Sequence, residues 1–169
     1  MRTVKQPSND TLKCIEESLM VDNGNVVWSS TRSNRAVKGN LFGALIDGYR
    51  RGRINKHNCH AHQVAYFLQY GQWPYKFVDH KDGDRSNNRK ENLRLASHSE
   101  NARNAISRVN STGYKGVYKS TQKLKKPYTS EIVKDNKRIY LGYFETPEQA
   151  HEAYKQAAIK YHGDFARWS

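Results

Sequence analysis

The chain has 169 residues, enough for one domain or two small ones. Its 29 Lys and Arg against 16 Asp and Glu leave a formal net charge of +13, with only 36% hydrophobic residues. Such a balance points to a polyanionic partner, because cations that neutralise phosphates release condensed counterions, and the lack of a long apolar run argues against a membrane. The polar first ten residues lack the apolar core of a signal peptide, so a soluble, cytoplasmic protein is expected. Cys14 and Cys59 are too far apart for a Cys-x-x-Cys zinc pair and read as ordinary thiols of a reducing compartment.

In chain order, Leu12, Ile15, Glu16 and Leu19 give a short helical pattern within residues 1–20. Asp22-Asn23-Gly24-Asn25 then reads as a turn before a strand, Val26-Val27-Trp28. Residues 41–62 read as short strands broken at Asp47-Gly48 and near Asn55-Lys56-His57-Asn58. From His62 the period becomes helical, with Val64, Ala65, Phe67 and Leu68 on one face and Gly71 and Pro74 as stops. Phe77-Val78-Asp79-His80 is a short strand, residues 81–91 a polar loop, and Leu93-Arg94-Leu95-Ala96 a second strand. Ser97-His98-Ser99-Glu100 has capping-box spacing and predicts a helix from about His98 to about Ser107. Residues 108–113 look like a linker. Beyond it, residues 117–119, 128–134 and 138–144 read as three strands, with Asp135-Asn136 as the tight turn between the last two. Thr146-Pro147-Glu148 starts a helix whose small-residue face runs through Ala150, Ala153, Tyr154, Ala157, Ala158 and Tyr161, and Gly163 ends it.

The chemistry concentrates at Asp79 and His80. Cleaving a phosphodiester needs an activated water, a counter-charge for the phosphorane and a stabilised leaving oxygen; a general base supplies the first and a divalent ion the other two. Asp79 suits the metal and His80 the water. Asn92, twelve residues on, has an amide oxygen suited to fixing the imidazole tautomer, and Asn101, just inside the capped helix, offers a second oxygen to the metal. Oxygen ligands suit Mg2+ or Mn2+ better than zinc. A calcium loop fails on register, since Gly83 at its sixth position would put Val78 first and Arg89 twelfth. His57, His60 and His62 form a second cluster. His60 and His62 would share a strand face, and packing or phosphate contact is favoured over metal binding there.

The runs His62-Gln-Val-Ala-Tyr-Phe-Leu-Gln-Tyr-Gly-Gln-Trp-Pro74, Val78-Asp-His-Lys-Asp-Gly-Asp84, Asn87-Asn88, Glu91-Asn-Leu-Arg94 and Glu100-Asn-Ala-Arg-Asn104 resemble the HNH homing endonucleases of phages and introns. The resemblance spans roughly residues 20–105. It implies a ββα-metal (His-Me) finger over about 76–107, with Asp79 and Asn101 as metal ligands, His80 as general base and Asn92 as its orienting residue. The last histidine of the family name is an asparagine here, and His98, three residues earlier, stays open as a metal contact. One finger holds one catalytic centre, so a monomer would nick and a dimer would break both strands.

Tyr114-Lys-Gly-Val-Tyr118, Tyr128-Thr-Ser-Glu-Ile132 and Arg138-Ile-Tyr-Leu-Gly-Tyr-Phe-Glu-Thr-Pro-Glu-Gln-Ala150 resemble the Apetala-two (ethylene-response-factor) DNA-binding domain of plants. This resemblance covers residues 113–166 and implies that a sheet enters the major groove, for which a β-ribbon is suited. Alternation sends Val117, Ile132, Ile139 and Leu141 toward the helix and Tyr118, Glu131, Arg138 and Tyr140 outward, with Lys115 and Lys119 in a basic fringe for phosphates. Tyr118, Ser120 and Val133 stand where plant domains carry guanine-reading arginines, so the plant GC-rich site does not carry over.

The expectation is an α+β chain. Residues 1–107 would be a nuclease domain, and residues 113–169 a three-stranded antiparallel sheet packed on one helix. Together they would hydrolyse double-stranded DNA with one divalent ion, in a bacterial host cell if phage-encoded. A DNA-binding regulator without nuclease activity and an RNA-binding protein are the alternatives.

Overall fold

The computed structural model describes residues 4–104, 110–135 and 137–168. It divides into two units, Met1–His98 and Ser99–Ser169. Mixed helices and small antiparallel sheets make up both.

In the first unit, helix α1 (Asn9–Ser18) starts where the Ser8 hydroxyl accepts from the Thr11 amide, and it buries Thr11, Ile15 and Ser18 on one stripe. The sequence pattern carried Leu19 on this helix. The structure instead ends the helix at Ser18, and Leu19, 2% exposed, opens strand β1 (Leu19–Asp22). Strand β2 (Asn25–Trp28) returns antiparallel to it. Asn23 and Gly24 between them both have positive φ, 47° and 82°, the type I′ geometry that suits the twist of a hairpin. The apolar alternation around Leu19 and Val21 thus belongs to a strand, and a period-2 segment directly after a helix was hidden by the helical period.

Strands β3 (Ala44–Ile46), β4 (Tyr49–Ile54) and β5 (His57–His60) form an antiparallel meander, turning at Asp47-Gly48 and Asn55-Lys56. Strand β5 runs straight into helix α2 (Ala61–Tyr70), whose start is closed by the Gln63 side chain accepting from the His60 amide at 3.0 Å. Gly71 ends it, donating to the Phe67 carbonyl. Val64, Ala65 and Phe67 of the expected face are buried, and Leu68 packs half-buried against the same core. That core gathers Ile15, Leu19, Val26, Phe42, Ile54 and Trp73 around α2 and takes Val78 and Leu93 from the next hairpin.

This hairpin is strand β6 (Phe77–His80), a polar loop closing in a 3-10 turn at Lys90–Asn92, and strand β7 (Leu93–Ala96). Its register pairs Val78 with Leu95, Asp79 with Arg94 and His80 with Leu93. Helix α3 (His98–Asn104) follows, beginning where the capping-box spacing places it. The expected continuation to Ser107 and the first two residues of the 108–113 linker lie outside the described residues.

The second unit holds strands β8 (Val117–Lys119), β9 (Tyr128–Lys134) and β10 (Lys137–Phe144) in the order β10-β9-β8, and helix α4 (Pro147–His162). Asn136 of the β9–β10 turn lies outside the described residues. The Thr146 hydroxyl caps α4 by accepting from the Gln149 amide, with Pro147 at the first helical position. Ile132, Ile139 and Leu141 pack with Tyr154, Ala157, Ala158 and Tyr161 of α4, the sheet face that alternation assigns to the helix.

Gly52 in β4 leaves room for the Phe42 ring, and a Cβ there would run into it. Gly52→Ala should therefore cost about 1–3 kcal/mol, the usual range for overpacking, read as a lower denaturation midpoint with unchanged slope.

Candidate active site and nucleic-acid interface

Asp79 and His80 end strand β6 and are both buried, at 6% and 4% exposure. As strand neighbours they point to opposite faces and find different partners. On one face, Arg94 across the ladder donates from Nε to Asp79 Oδ2 at 2.9 Å, with its Nη2 2.8 Å from the same oxygen. On the other, His80 Nε2 lies 3.1 Å from Asn88 Oδ1, and the His80 ring meets the His62 ring edge-on at 5.4 Å between centroids.

The Asn88 amide can be oriented from its other contacts. Asn88 Nδ2 donates to the Ser86 carbonyl at 3.1 Å, which turns Oδ1 to His80. An oxygen accepts only, so His80 Nε2 carries the proton in the neutral ring and Nδ1 keeps the lone pair. Asn88 is itself fixed through the main chain. Its amide donates to the Gly24 carbonyl at 3.0 Å, and its carbonyl accepts from Gln69 Nε2 at 2.9 Å. The β1–β2 turn and α2 thus hold the residue that holds His80.

Asn92 does not take the role expected of it. Its Oδ1 accepts from the Asp82 amide at 3.0 Å, and its Nδ2 donates to Asp82 Oδ1 at 2.9 Å and to the Asn87 carbonyl at 2.7 Å. Asn92 therefore closes the loop, and Asn88 is the asparagine that meets the imidazole. The reason is local: the 3-10 turn at Lys90–Asn92 brings Asn92 over Asp82, where both ends of its amide are used. The loop is tied further by Asn87 Nδ2 to Asp82 Oδ2 at 2.7 Å and by the Asp84 amide to Asp82 Oδ1 at 2.8 Å. Burial works against the Asp82 carboxylate, but the hydrogen bonds from Asn87, Asn92 and the Asp84 amide outweigh it and hold its pKa below the ordinary value. The adjacent pair Asn87-Asn88 was the signal for this arrangement, with Asn87 bracing the loop and Asn88 the ring.

Asn101 lies half-buried on α3, in the second unit, whereas Asp79, His80 and Asn92 belong to the first. His98 is exposed, with its ring edge-on to Phe77 at 6.0 Å. Among the described residues no three His, Cys, Asp or Glu side chains gather as a metal centre. An ion held by one carboxylate, amide oxygens and substrate phosphate is not of that kind.

The histidine cluster is real but differently built. His60 ends β5 and His62 lies on α2, so they do not share a strand. Their rings are 5.1 Å apart, Tyr49 lies edge-on to both, and His62 passes the contact on to His80. Desolvation, then the nearby His80 and His60, push the His62 pKa well below its ordinary 6.5. His60 is lowered by desolvation and Arg51, and His57, set against Trp73, by desolvation and Lys5. Elsewhere, burial raises the Cys59 thiol to about 12, which makes it inert.

In the second unit, Tyr118, Arg138 and Tyr140 are exposed, and Glu131 is half-buried with an oxygen 3.4 Å from Arg138 Nη1. Lys119 is exposed beside the Tyr128 ring. Lys115 is half-buried, and desolvation, then Arg167, lower its pKa, which separates it from the solvated lysines of the fringe.

Residues 59–103 match the family model described as HNH endonuclease. The matched stretch runs from the end of β5 through α2 and the β6–β7 hairpin into α3. It supports an HNH domain in this part of the chain, in a class of nucleases acting on DNA. No curated protein and no solved structure matches the chain.

Because the lowered histidines bind protons more readily in the unfolded chain, stability should be full above pH 6.5 and fall as pH drops below it. Thermal unfolding between pH 7.5 and 5 should show this fall, and His62→Phe, which keeps a ring but cannot titrate, should flatten it.

Proposed function

We propose that this protein is a metal-dependent endonuclease that hydrolyses phosphodiester bonds of double-stranded DNA. The observation that carries the reading is the buried His80 ring, held at Nε2 by Asn88 inside the stretch that matches HNH endonucleases. His80 Nδ1 takes the proton of the attacking water, and Asn88 holds the ring in the tautomer that allows it. Loop ties through Asp82, Asn87 and Asn92 keep Asn88 in place.

The donor chemistry fits a hard divalent ion, since Asp79 is a buried carboxylate and asparagine offers oxygen. By the family resemblance Asp79 and Asn101 would hold Mg2+ or Mn2+, which when bound supplies counter-charge at the phosphate and the leaving oxygen. Arg94 holds Asp79 on its strand face through Nε and Nη2. The second unit grips duplex DNA with the outward sheet face carrying Tyr118, Glu131, Arg138 and Tyr140, with Lys119 toward phosphates. The two resemblances together support a homing enzyme of a phage or mobile element, acting in the cytoplasm of a bacterial host. With one centre per chain, a monomer would nick and a dimer would break both strands.

One observation favours a second reading, a sequence-specific DNA-binding regulator without nuclease activity. Arg94 already neutralises an oxygen of Asp79, where a metal would otherwise draw on the full carboxylate charge. Supercoiled plasmid separates the two. The nuclease reading expects relaxation in Mg2+ or Mn2+, none in EDTA, and a loss of at least about 100-fold in His80→Ala, the scale of general-base catalysis. Binding without relaxation in either metal would leave the regulator. Asn88→Ala should lower kcat about 10–100-fold with less change in KM, as expected of a residue that acts through the ring it orients.

A further inference from the structure

The outer face of the β8–β10 sheet is laid out by its register. Tyr118, Thr129 and Tyr143 form one cross-strand row, Glu131 and Tyr140 the next, and Val133 and Arg138 the last. The bulge between Tyr140 and Gly142 returns Tyr143 to this face beside Tyr140, with ring centroids 5.2 Å apart. Tyr118, Val133, Tyr140 and Tyr143 are between 49% and 57% exposed, so large apolar side chains stand on this face in water.

Its charges are arranged in a particular way. The only arginine of the three strands, Arg138, stands beside Glu131, with Nη1 3.4 Å from its carboxylate. Glu131 puts a carboxylate at the centre of the face, which repels phosphate and accepts from base amino groups. Lysines stand around it, with Lys119 and Lys137 at strand ends and Lys123, Lys125 and Lys126 in the β8–β9 loop. A cationic margin around an apolar, acid-centred face suits a duplex, with phosphates at the margin and base edges at the centre. The Tyr140 and Tyr143 rings are inclined by 64°, which is not the flat series of platforms on which single-stranded bases stack.

In the major groove the one apolar feature of a base pair is the thymine methyl group. We propose that this face reads thymine methyls, through Val133 and the rings of Tyr118 and Tyr140, and so selects A·T-bearing sites. The proposal rests on the reading that the second unit binds duplex DNA.

The full chain in EDTA selects duplexes from a randomised pool. Each thymine of the selected site is then replaced singly by deoxyuracil, which removes the methyl and keeps the pairing, and affinity is read by fluorescence anisotropy. One or more positions should lose about four-fold, the value of one buried methyl group. Val133→Ser or Tyr118→Ser should bind the thymine and uracil duplexes equally at such a position. Both residues are exposed, so an unchanged thermal midpoint checks the fold. Equal affinity for uracil at every position, a selected site without thymine, or a uracil effect that survives both variants overturns the proposal while duplex binding stands. Single-stranded DNA or RNA outcompeting the duplex overturns that reading as well.

Discussion

The hydrogen bond between His80 Nε2 and Asn88 Oδ1 is the contact around which the rest of the first unit is organised. A histidine at a strand end can present either nitrogen, and its ring turns freely unless something stops it. Here the acceptor is oriented by Ser86, positioned by the Gly24 carbonyl and tied to α2 through Gln69. Three segments, the β1–β2 turn, α2 and the β6–β7 hairpin, therefore converge on the asparagine that holds the imidazole. The loop from Lys81 to Glu91 has little apolar surface to bury, and its order comes from polar ties among Asp82, Asp84, Asn87 and Asn92. That is a costly way to build a loop unless every group is satisfied. It explains why asparagine, which donates and accepts at once, recurs along this stretch.

Asp79 and His80 divide a burial problem between them. Two ionisable groups at adjacent buried positions would be expensive if each stood alone. Alternation sends one to Arg94 and the other to Asn88 and His62, so each meets a partner of its own on its own face. The ring chain from Tyr49 through His60 and His62 to His80 then fills the space behind the imidazole with aromatic contacts. The pair that the sequence reading divides into a metal ligand, Asp79, and a base, His80, is in the fold two separately supported side chains at the end of one strand.

Much of the architecture was legible because it rests on local signals. Strand ends at Asp47-Gly48, the helix stop at Gly71, the start of α3 at His98 and the Thr146-Pro147 cap are all properties of a few neighbouring residues. Strand β1 was missed because Leu19 continues the helical period of α1 by coincidence. The site was legible in its chemistry and not in its pairing. Asp79, His80, Asn88, Asn92 and Arg94 all stood in the quoted motifs. Which asparagine meets which ring depends on how an eleven-residue loop folds back, and that is set by hydrogen bonds between residues 5 to 10 positions apart. The histidine contacts were harder still, since His62 reaches His80 only because β5 passes without a break into α2.

The Gly24 carbonyl lies 64 residues ahead of the amide it receives, well outside the stretch from 59 to 103 that carries the family likeness. A graft of that stretch alone onto another scaffold would transplant every motif residue and still cost the Asn88 amide the shorter of its two bonds, keeping only the one to the Ser86 carbonyl at 3.2 Å. A host that keeps Asn88 tied from outside the motif must offer a backbone oxygen at the place of the Asn23-Gly24 turn. The portable unit is thus larger than the recognisable one, and a shared motif between two proteins of this kind does not by itself mean a shared setting of the histidine.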